Sequence, residues 1–230
     1  MEEKLRILGI TTSPRKGGNT TKLVERALQG SEEFALRNDY RVEKLLVSLA
    51  AKRIEPCRNC GRCVREGSYC VIGDDWWQVV QSLLEPMPDG LIFGSPVYFF
   101  SQNALARCFM ERCTCLIKKI WCPDFPNEPP DFSRVAAGAV GVGGDRNGGV
   151  EHALSAIINW LLMMGFTVVG GSYIGGAGWA KRYEETDAIW DDSAGLESAT
   201  KLGKAVARTG ILLKEGSKVA GFESKPNVLL

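Results

Sequence analysis

Leu5-Arg6-Ile7-Leu8-Gly9-Ile10-Thr11 is a short apolar run. It feeds into Thr12-Ser13-Pro14-Arg15-Lys16-Gly17-Gly18-Asn19-Thr20-Thr21 and then into a segment of helical period ending near Leu36. A strand, a polar glycine loop and a helix in that order open a β-α-β unit. The two glycines let the loop curl. Ser13, Thr20 and Thr21 bring hydroxyl donors, and Arg15 and Lys16 bring cationic ones. The helix start adds unpaired N–H groups and the positive end of its dipole. This makes a site for a phosphate monoester. No Gly-Lys-Ser/Thr closes the loop and the spacing is not GxGxxG, so neither a Walker loop nor a dinucleotide fingerprint is present. The competing reading is a plain strand-to-helix turn, capped by Asn19 or Thr20, with its basic residues facing solvent.

Working outward, the same alternation continues. Strands are expected at Arg41 to Leu49, Gly90 to Ser95, Val135 to Val142 and Thr167 to Ser172. Helices are expected at Asp74 to Leu84, Asn103 to Ile120, Val150 to Met164 and Ala194 to Leu213. Asp74 or Asp75 is placed to cap the first of these helices. The pattern predicts an α/β fold, a doubly wound five-stranded parallel sheet, with ligands bound beyond the carboxyl ends of the strands. One domain over residues 1–214 is expected, with a cysteine-loop insertion at 53–75 and a tail over 215–230. A second insertion runs from Cys113 to Arg134.

The first insertion carries Cys57, Cys60, Cys63 and Cys70, spaced C-x2-C-x2-C-x6-C. Three thiolates three residues apart converge on one face of a tight turn, and an excursion through Gly67 returns the fourth. That meets the four-thiolate requirement of a [4Fe-4S] cluster. Zinc prefers two separate CxxC knuckles, and it remains an alternative together with unmetallated or redox-active thiols. Cys108 falls in a helical segment and reads as a small buried hydrophobe. Cys113, Cys115 and Cys122 have no recognised ligand spacing, so a second metal or a pairing between subunits stays open for them.

With both loops identified, the chain resembles the iron-sulfur flavoprotein family within the NADPH-dependent FMN reductase superfamily. The resemblance rests on SPRKGGNT at Ser13 to Thr20, the cysteine loop ending in CVIGDD, GSPVYF at Gly94 to Phe99, GGDRNGG at Gly143 to Gly149 and GGAGWA at Gly175 to Ala180. It implies a flavodoxin-like fold, non-covalently bound FMN, a [4Fe-4S] cluster and a homodimer or homotetramer. Ser13, Arg15, Asn19 and Thr20 match the phosphate-binding positions, and Lys16 and Thr21 stand beside them. Ser95, Pro96, Val97, Tyr98 and Phe99 match the loop along the isoalloxazine and ribityl chain. Gly143, Gly144, Asp145 and Arg146, with Gly149 beyond, match the loop on the ring's other side. Cys57, Cys60, Cys63 and Cys70 match the cluster ligands. The segment Cys113 to Pro130 departs from the family's simpler connection.

Residue chemistry supports the same assignments. Pro96 holds Ser95 extended and leaves nearby backbone groups for a ligand edge. Tyr98 and Phe99 can flank a planar ring, or pack as a core loop. The glycines near 143–149 permit close backbone approach. Arg146 can face a flavin carbonyl or N1, or form a surface salt bridge.

Composition narrows the function. The chain has 230 residues, 45% hydrophobic and 24% charged, with 28 Lys and Arg against 27 acidic residues and a net charge of +1. That balance gives no reason to expect nucleic acid or a membrane as partner. The opening MEEKLRILGI does not read as a signal peptide, which predicts a cytoplasmic protein whose eight cysteines serve metal or redox chemistry. His152 is the only histidine, arguing against a His-based triad. No catalytic side chain is singled out, so the chemistry is assigned to cofactors. The expected function is electron transfer from a ferredoxin-type donor to a small acceptor such as dioxygen, peroxide or a quinone, with the cluster placed near a flavin of its own or a neighbouring subunit. An NAD(P)H-dependent FMN or quinone reductase is the second reading, and a non-catalytic metal- or redox-sensing module the third.

Overall fold

The computed structural model describes residues 3–182 and 184–221. Strand β1 (Glu3–Thr11) lies centrally, paired in parallel with β2 (Tyr40–Ser48) on one side and β3 (Gly90–Tyr98) on the other. Beyond β3 comes β5 (Ala136–Gly143), and β4 (Ser101–Gln102) pairs antiparallel with the end of β3. Along β1, Leu5 and Ile7 face one layer while Leu8 and Ile10 face the other, and all four are fully buried. Burial on both faces is why these strands read as continuous apolar runs rather than alternating ones.

One layer consists of α1 (Asn19–Leu36) and α6 (Ser193–Ala220), packed on Ile7, Ile92 and Val140. The other holds α3 (Trp76–Leu84), α4 (Ala104–Arg112) and α5 (Val150–Met163), whose Phe109 and Trp160 rings meet Phe93 while Trp76 donates to the Phe109 carbonyl in the same core. A short helix α2 (Arg62–Arg65) lies within the cysteine loop. Helices α1 and α6 approach closely because Gly30 and Gly203 carry no side chains: a Cβ on Gly203 would lie 1.8 Å from the Ala27 carbonyl oxygen. Ser31 Oγ donates to the Gly203 carbonyl at 2.9 Å, fixing the register.

The sheet order β2-β1-β3-β5-β6 is that of a doubly wound, flavodoxin-like fold. Its fifth position differs from the single strand expected at Thr167 to Ser172. It is filled in two pieces, β6 (Thr167–Val168) beside the start of β5 and β7 (Gly176–Trp179) beside its end. Gly170 and Gly171 interrupt the strand because they are pressed against the Tyr173 carbonyl and the α6 backbone, where a side chain would clash.

The helix expected from Asn103 to Ile120 is also broken. It is α-helical only to Arg112 and continues as a 3-10 segment over Cys113–Ile120, kinked at Ile117. Thr114 donates to the Glu111 carbonyl at 2.6 Å, tightening the turn where helix propensity is weak. In contrast, α6 extends beyond Leu213. Its last turns are held by Tyr40 donating to Glu215 and by Lys218 pairing with Glu3, each at 2.6 Å, and Gly221 with φ 61° ends it. Residues 222–230 of the expected tail lie outside the described residues. Among the described residues, no helix is long and apolar enough to cross a membrane.

Candidate functional site

Strands β1, β3 and β5 end on the same edge of the sheet, and their loops enclose a cavity of about 460 Å³. Ser13, Arg15, Asn19 and Thr20 line it from the first loop, Pro96 to Phe99 from the second, and Gly143 and Gly144 from the third. Val142 and Ala180 complete the wall. Neither was singled out in the sequence, although Ala180 closes the GGAGWA segment.

The floor is the start of α1. Gly18 occupies the N-cap and has no side chain with which to satisfy the first N–H groups. Ser13 Oγ accepts the Arg15 N–H at 3.2 Å, bending the loop around this open end. Ser13 and Thr20 are buried while Arg15 and Lys16 are exposed. Hydroxyls, open helical N–H groups and a guanidinium form a donor set suited to a phosphate monoester.

Other residues singled out in the sequence occupy different positions. Thr21 is buried with its hydroxyl 3.2 Å from Thr11 Oγ1. Asn19 borders the cavity, but its amide is engaged: Nδ2 donates to the Glu185 carbonyl at 2.7 Å and Oδ1 accepts the Ile189 N–H at 3.1 Å. Ser95 is fully buried, and Tyr98 and Phe99 stand exposed at the rim rather than packed in the core. Phe99 and Phe100 both have left-handed backbone, with φ of 48° and 66°. Arg146 lies outside this cavity, ion-paired with buried Asp192 at 2.7 Å and stacked 5.0 Å over Trp179. Asp145 also lies outside its lining. Gly149 starts α5 with φ 101° directly against the Phe100 backbone, a place where a Cβ would come within 2.5 Å. His152 is exposed on α5, its ring centroid 6.5 Å from that of Phe100.

One residue overlooked in the sequence fixes the site's geometry. Asn103 is 3% exposed. Its Nδ2 donates to the Thr12 carbonyl at 2.7 Å, and its Oδ1 accepts from the Ala106 N–H at 3.0 Å and lies within 3.2 Å of the Thr12 and Ser95 hydroxyls. The first loop, the end of β3 and the N-terminus of α4 are therefore joined through one amide. Its position before a helix could have marked it as an N-cap, but not as this junction.

A second cavity, of about 290 Å³, gathers Cys57, Cys60, Cys63 and Cys70. Asn59, Gly61 and Gly67 take positive φ, which folds this stretch back on itself. Asp75 takes the N-cap of α3 without a side-chain cap, its carboxylate accepting the Arg53 N–H at 2.7 Å, while Asp74 Oδ1, one residue earlier, accepts the Trp76 N–H at 3.1 Å. The two insertions meet here. Glu111, Arg112, Thr114, Cys115 and Lys118 line the same cavity, Cys57 N–H donates to Glu111 at 2.8 Å, and Asn127 donates to the Gly67 carbonyl at 3.2 Å. Cys113 and Cys115 are buried, and burial pushes the Cys113 thiol well up and that of Cys115 up to about 12. Cys108 is half-buried against the core. Among the described residues, no three His, Cys, Asp or Glu side chains converge as around a single metal ion. A lining with four thiols in the compact loop has the chemistry of an iron–sulfur ligand set.

The model of the family described as NADPH-dependent FMN reductase matches residues 5–180. An iron-sulfur flavoprotein of Methanocaldococcus jannaschii is 34% identical over 215 residues, covering 92% of this chain and all of the relative. One from Methanosarcina thermophila is 31% identical over 199 residues, 86% of this chain and 93% of that protein. Among solved structures, the Trp repressor binding protein of Bacillus subtilis has the same fold, with a TM-score of 0.55 at 23% identity over 85% of this chain and 99% of that one.

Proposed function

Since the chain belongs to the NADPH-dependent FMN reductase family and, within it, to the iron-sulfur flavoproteins, we propose that this flavin-dependent oxidoreductase moves electrons from a ferredoxin-type donor to a small-molecule acceptor. When bound, FMN supplies one- and two-electron chemistry and a [4Fe-4S] cluster supplies one-electron chemistry. The chain's own part is binding and placement. Ser13, Thr20, Arg15 and the open N-terminus of α1 hold the phosphate, with Lys16 adding positive charge outside. Pro96 to Phe99 and Gly143–Gly144 border the rest of the cofactor. Cys57, Cys60, Cys63 and Cys70 ligate the cluster. Thiol ligation needs a reducing compartment, so the reading includes a cytoplasmic setting.

One observation carries the proposal. Three loops remote in sequence share one cavity at the strand ends, with an uncapped helix at its floor, while all four cysteines of the compact loop share another. The test is anaerobic purification followed by an absorption spectrum and quantification of flavin, iron and sulfide. One FMN and about four irons per chain are expected. Colourless protein lacking both would end the proposal.

The exposed rim at Tyr98 and Phe99 supports a second reading, with NAD(P)H as direct donor. Stopped-flow mixing separates them: rapid loss of flavin absorbance with NADPH alone favours the reductase. The exposed apolar run Tyr98, Phe99 and Phe100 also supports assembly as a homodimer or homotetramer.

A further inference from the structure

Arg112 closes α4 and is 2% exposed, and its side chain and that of Asp74 are both fully buried. A buried guanidinium must find partners for its donors, because an unmet one keeps its desolvation penalty. Nη1 donates to Asp74 Oδ2 at 2.8 Å and to the Glu55 carbonyl at 3.0 Å. Nη2 donates to Asp74 Oδ1 at 3.2 Å and to the Ile72 carbonyl at 3.3 Å. Asp74 in turn accepts the Glu55 N–H at 2.8 Å. Glu55 lies two residues before Cys57, and Ile72 lies two after Cys70. Both ends of the cysteine-bearing segment are therefore tied to one ion pair, and Trp76 supports it from beneath with its ring 5.0 Å from the guanidinium carbon.

Four of the five N–H bonds are accounted for in this way. The fifth, on Nε, is buried and has no hydrogen-bond partner. Arg112 also lines the cysteine cavity, and the Cys70 sulfur is near enough to interact with its charge. Buried donors are rarely left unmet in a complete structure. A group that adds charge and sulfur acceptors to this cavity would complete the set.

We propose that Arg112 is a positioning residue of the cysteine cavity: locked by Asp74, it clamps both ends of the loop and offers its remaining Nε–H to sulfur on the Cys70 side. The assignment rests on the proposal that the four cysteines hold a cluster. A cluster held by four thiolates gains negative charge on reduction. A fixed cation and an N–H donor beside it favour the reduced form and raise its potential.

The test uses holoprotein purified without oxygen, in wild type, Arg112→Lys and the double variant Asp74→Asn/Arg112→Gln. Removing Arg112 alone would strand a buried carboxylate and endanger folding, whereas both chosen variants leave Asp74 or its replacement a partner. The readouts are iron and FMN per chain and a redox titration of the cluster followed by electron paramagnetic resonance. Both variants should keep FMN, and at a fixed potential the reduced-to-oxidised cluster ratio should fall at least tenfold in the double variant, about 59 mV for one electron, and by less in Arg112→Lys, which keeps the charge but loses the Nε–H. Loss of iron from either variant with FMN retained also supports the clamp. Wild-type potential with wild-type iron content in the double variant overturns it, and so does joint loss of iron and FMN, which would mark Arg112 as a general fold residue. Wild-type protein that binds FMN but no iron would instead sink the cluster reading itself.

Discussion

Cys113 and Cys115 carry the same functional group as Cys57 and Cys60 but sit in opposite surroundings. The first two are buried, and desolvation of the thiolate raises their thiols, that of Cys115 to about 12. Because the folded value lies above that of a free thiol, the reactive thiolate is scarce at neutral pH and grows only as pH climbs toward the folded value. In native protein at pH 8, iodoacetamide should therefore leave Cys113 and Cys115 unlabelled, while urea-unfolded protein labels both. Mass spectrometry reads this, and equal labelling of the two states would contradict the burial. A similar contrast separates the asparagines. Asn19 falls in the polar loop after β1 yet uses its amide on Glu185 and Ile189, whereas Asn103 joins three elements of the site. Residue type was legible, but the partner across 91 or 166 positions of chain was not.

Among the elements, the packing of α1 on α6 matters most for the site, because the start of α1 floors the first cavity. That contact depends on Gly203, where an added Cβ would sit 1.8 Å from the Ala27 carbonyl oxygen and 2.9 Å from the Ser31 nitrogen. Both neighbours are backbone and cannot rotate away. Gly203→Ala should destabilise the fold by about 3 kcal/mol, at the upper end of overpacking costs, and weaken FMN retention as α1 shifts. Chemical denaturation checks it, and a loss below about 1 kcal/mol would show that the helices have slack. Element type and order followed from periodicity and the alternation of apolar runs. Elements depart from that periodicity where tertiary contacts override local signals. The fifth strand splits because glycines 170 and 171 are pinned by Tyr173 and α6. Helix α4 gives way to a tighter 3-10 segment after Arg112, where Cys113, Cys115, Leu116 and Ile117 are all buried.

In the whole molecule, the two cavities share no lining residue, so the two centres should be separable by mutation. Ser13→Ala with Thr20→Val should weaken FMN binding by at least tenfold, since a hydrogen bond to a charged group contributes about 1.5–3 kcal/mol, while iron content stays unchanged. Cys60→Ser should abolish the cluster and leave FMN in place. Flavin fluorescence titration and iron analysis check both, and loss of both groups from either variant would contradict separability. The sequence by itself determined the doubly wound α/β class, the polar loop after β1 and the compact four-cysteine spacing. Each is written in local periodicity or short spacing, which the chain expresses without reference to distant segments. Only the tertiary structure decided that the Cys113–Arg134 insertion packs on the cysteine loop, that Arg146 pairs with Asp192, and that Arg112 and Asp74 meet beneath the thiols. Such pairings form because buried charges and backbone groups must find partners wherever folding brings them, and sequence distance does not constrain where that is.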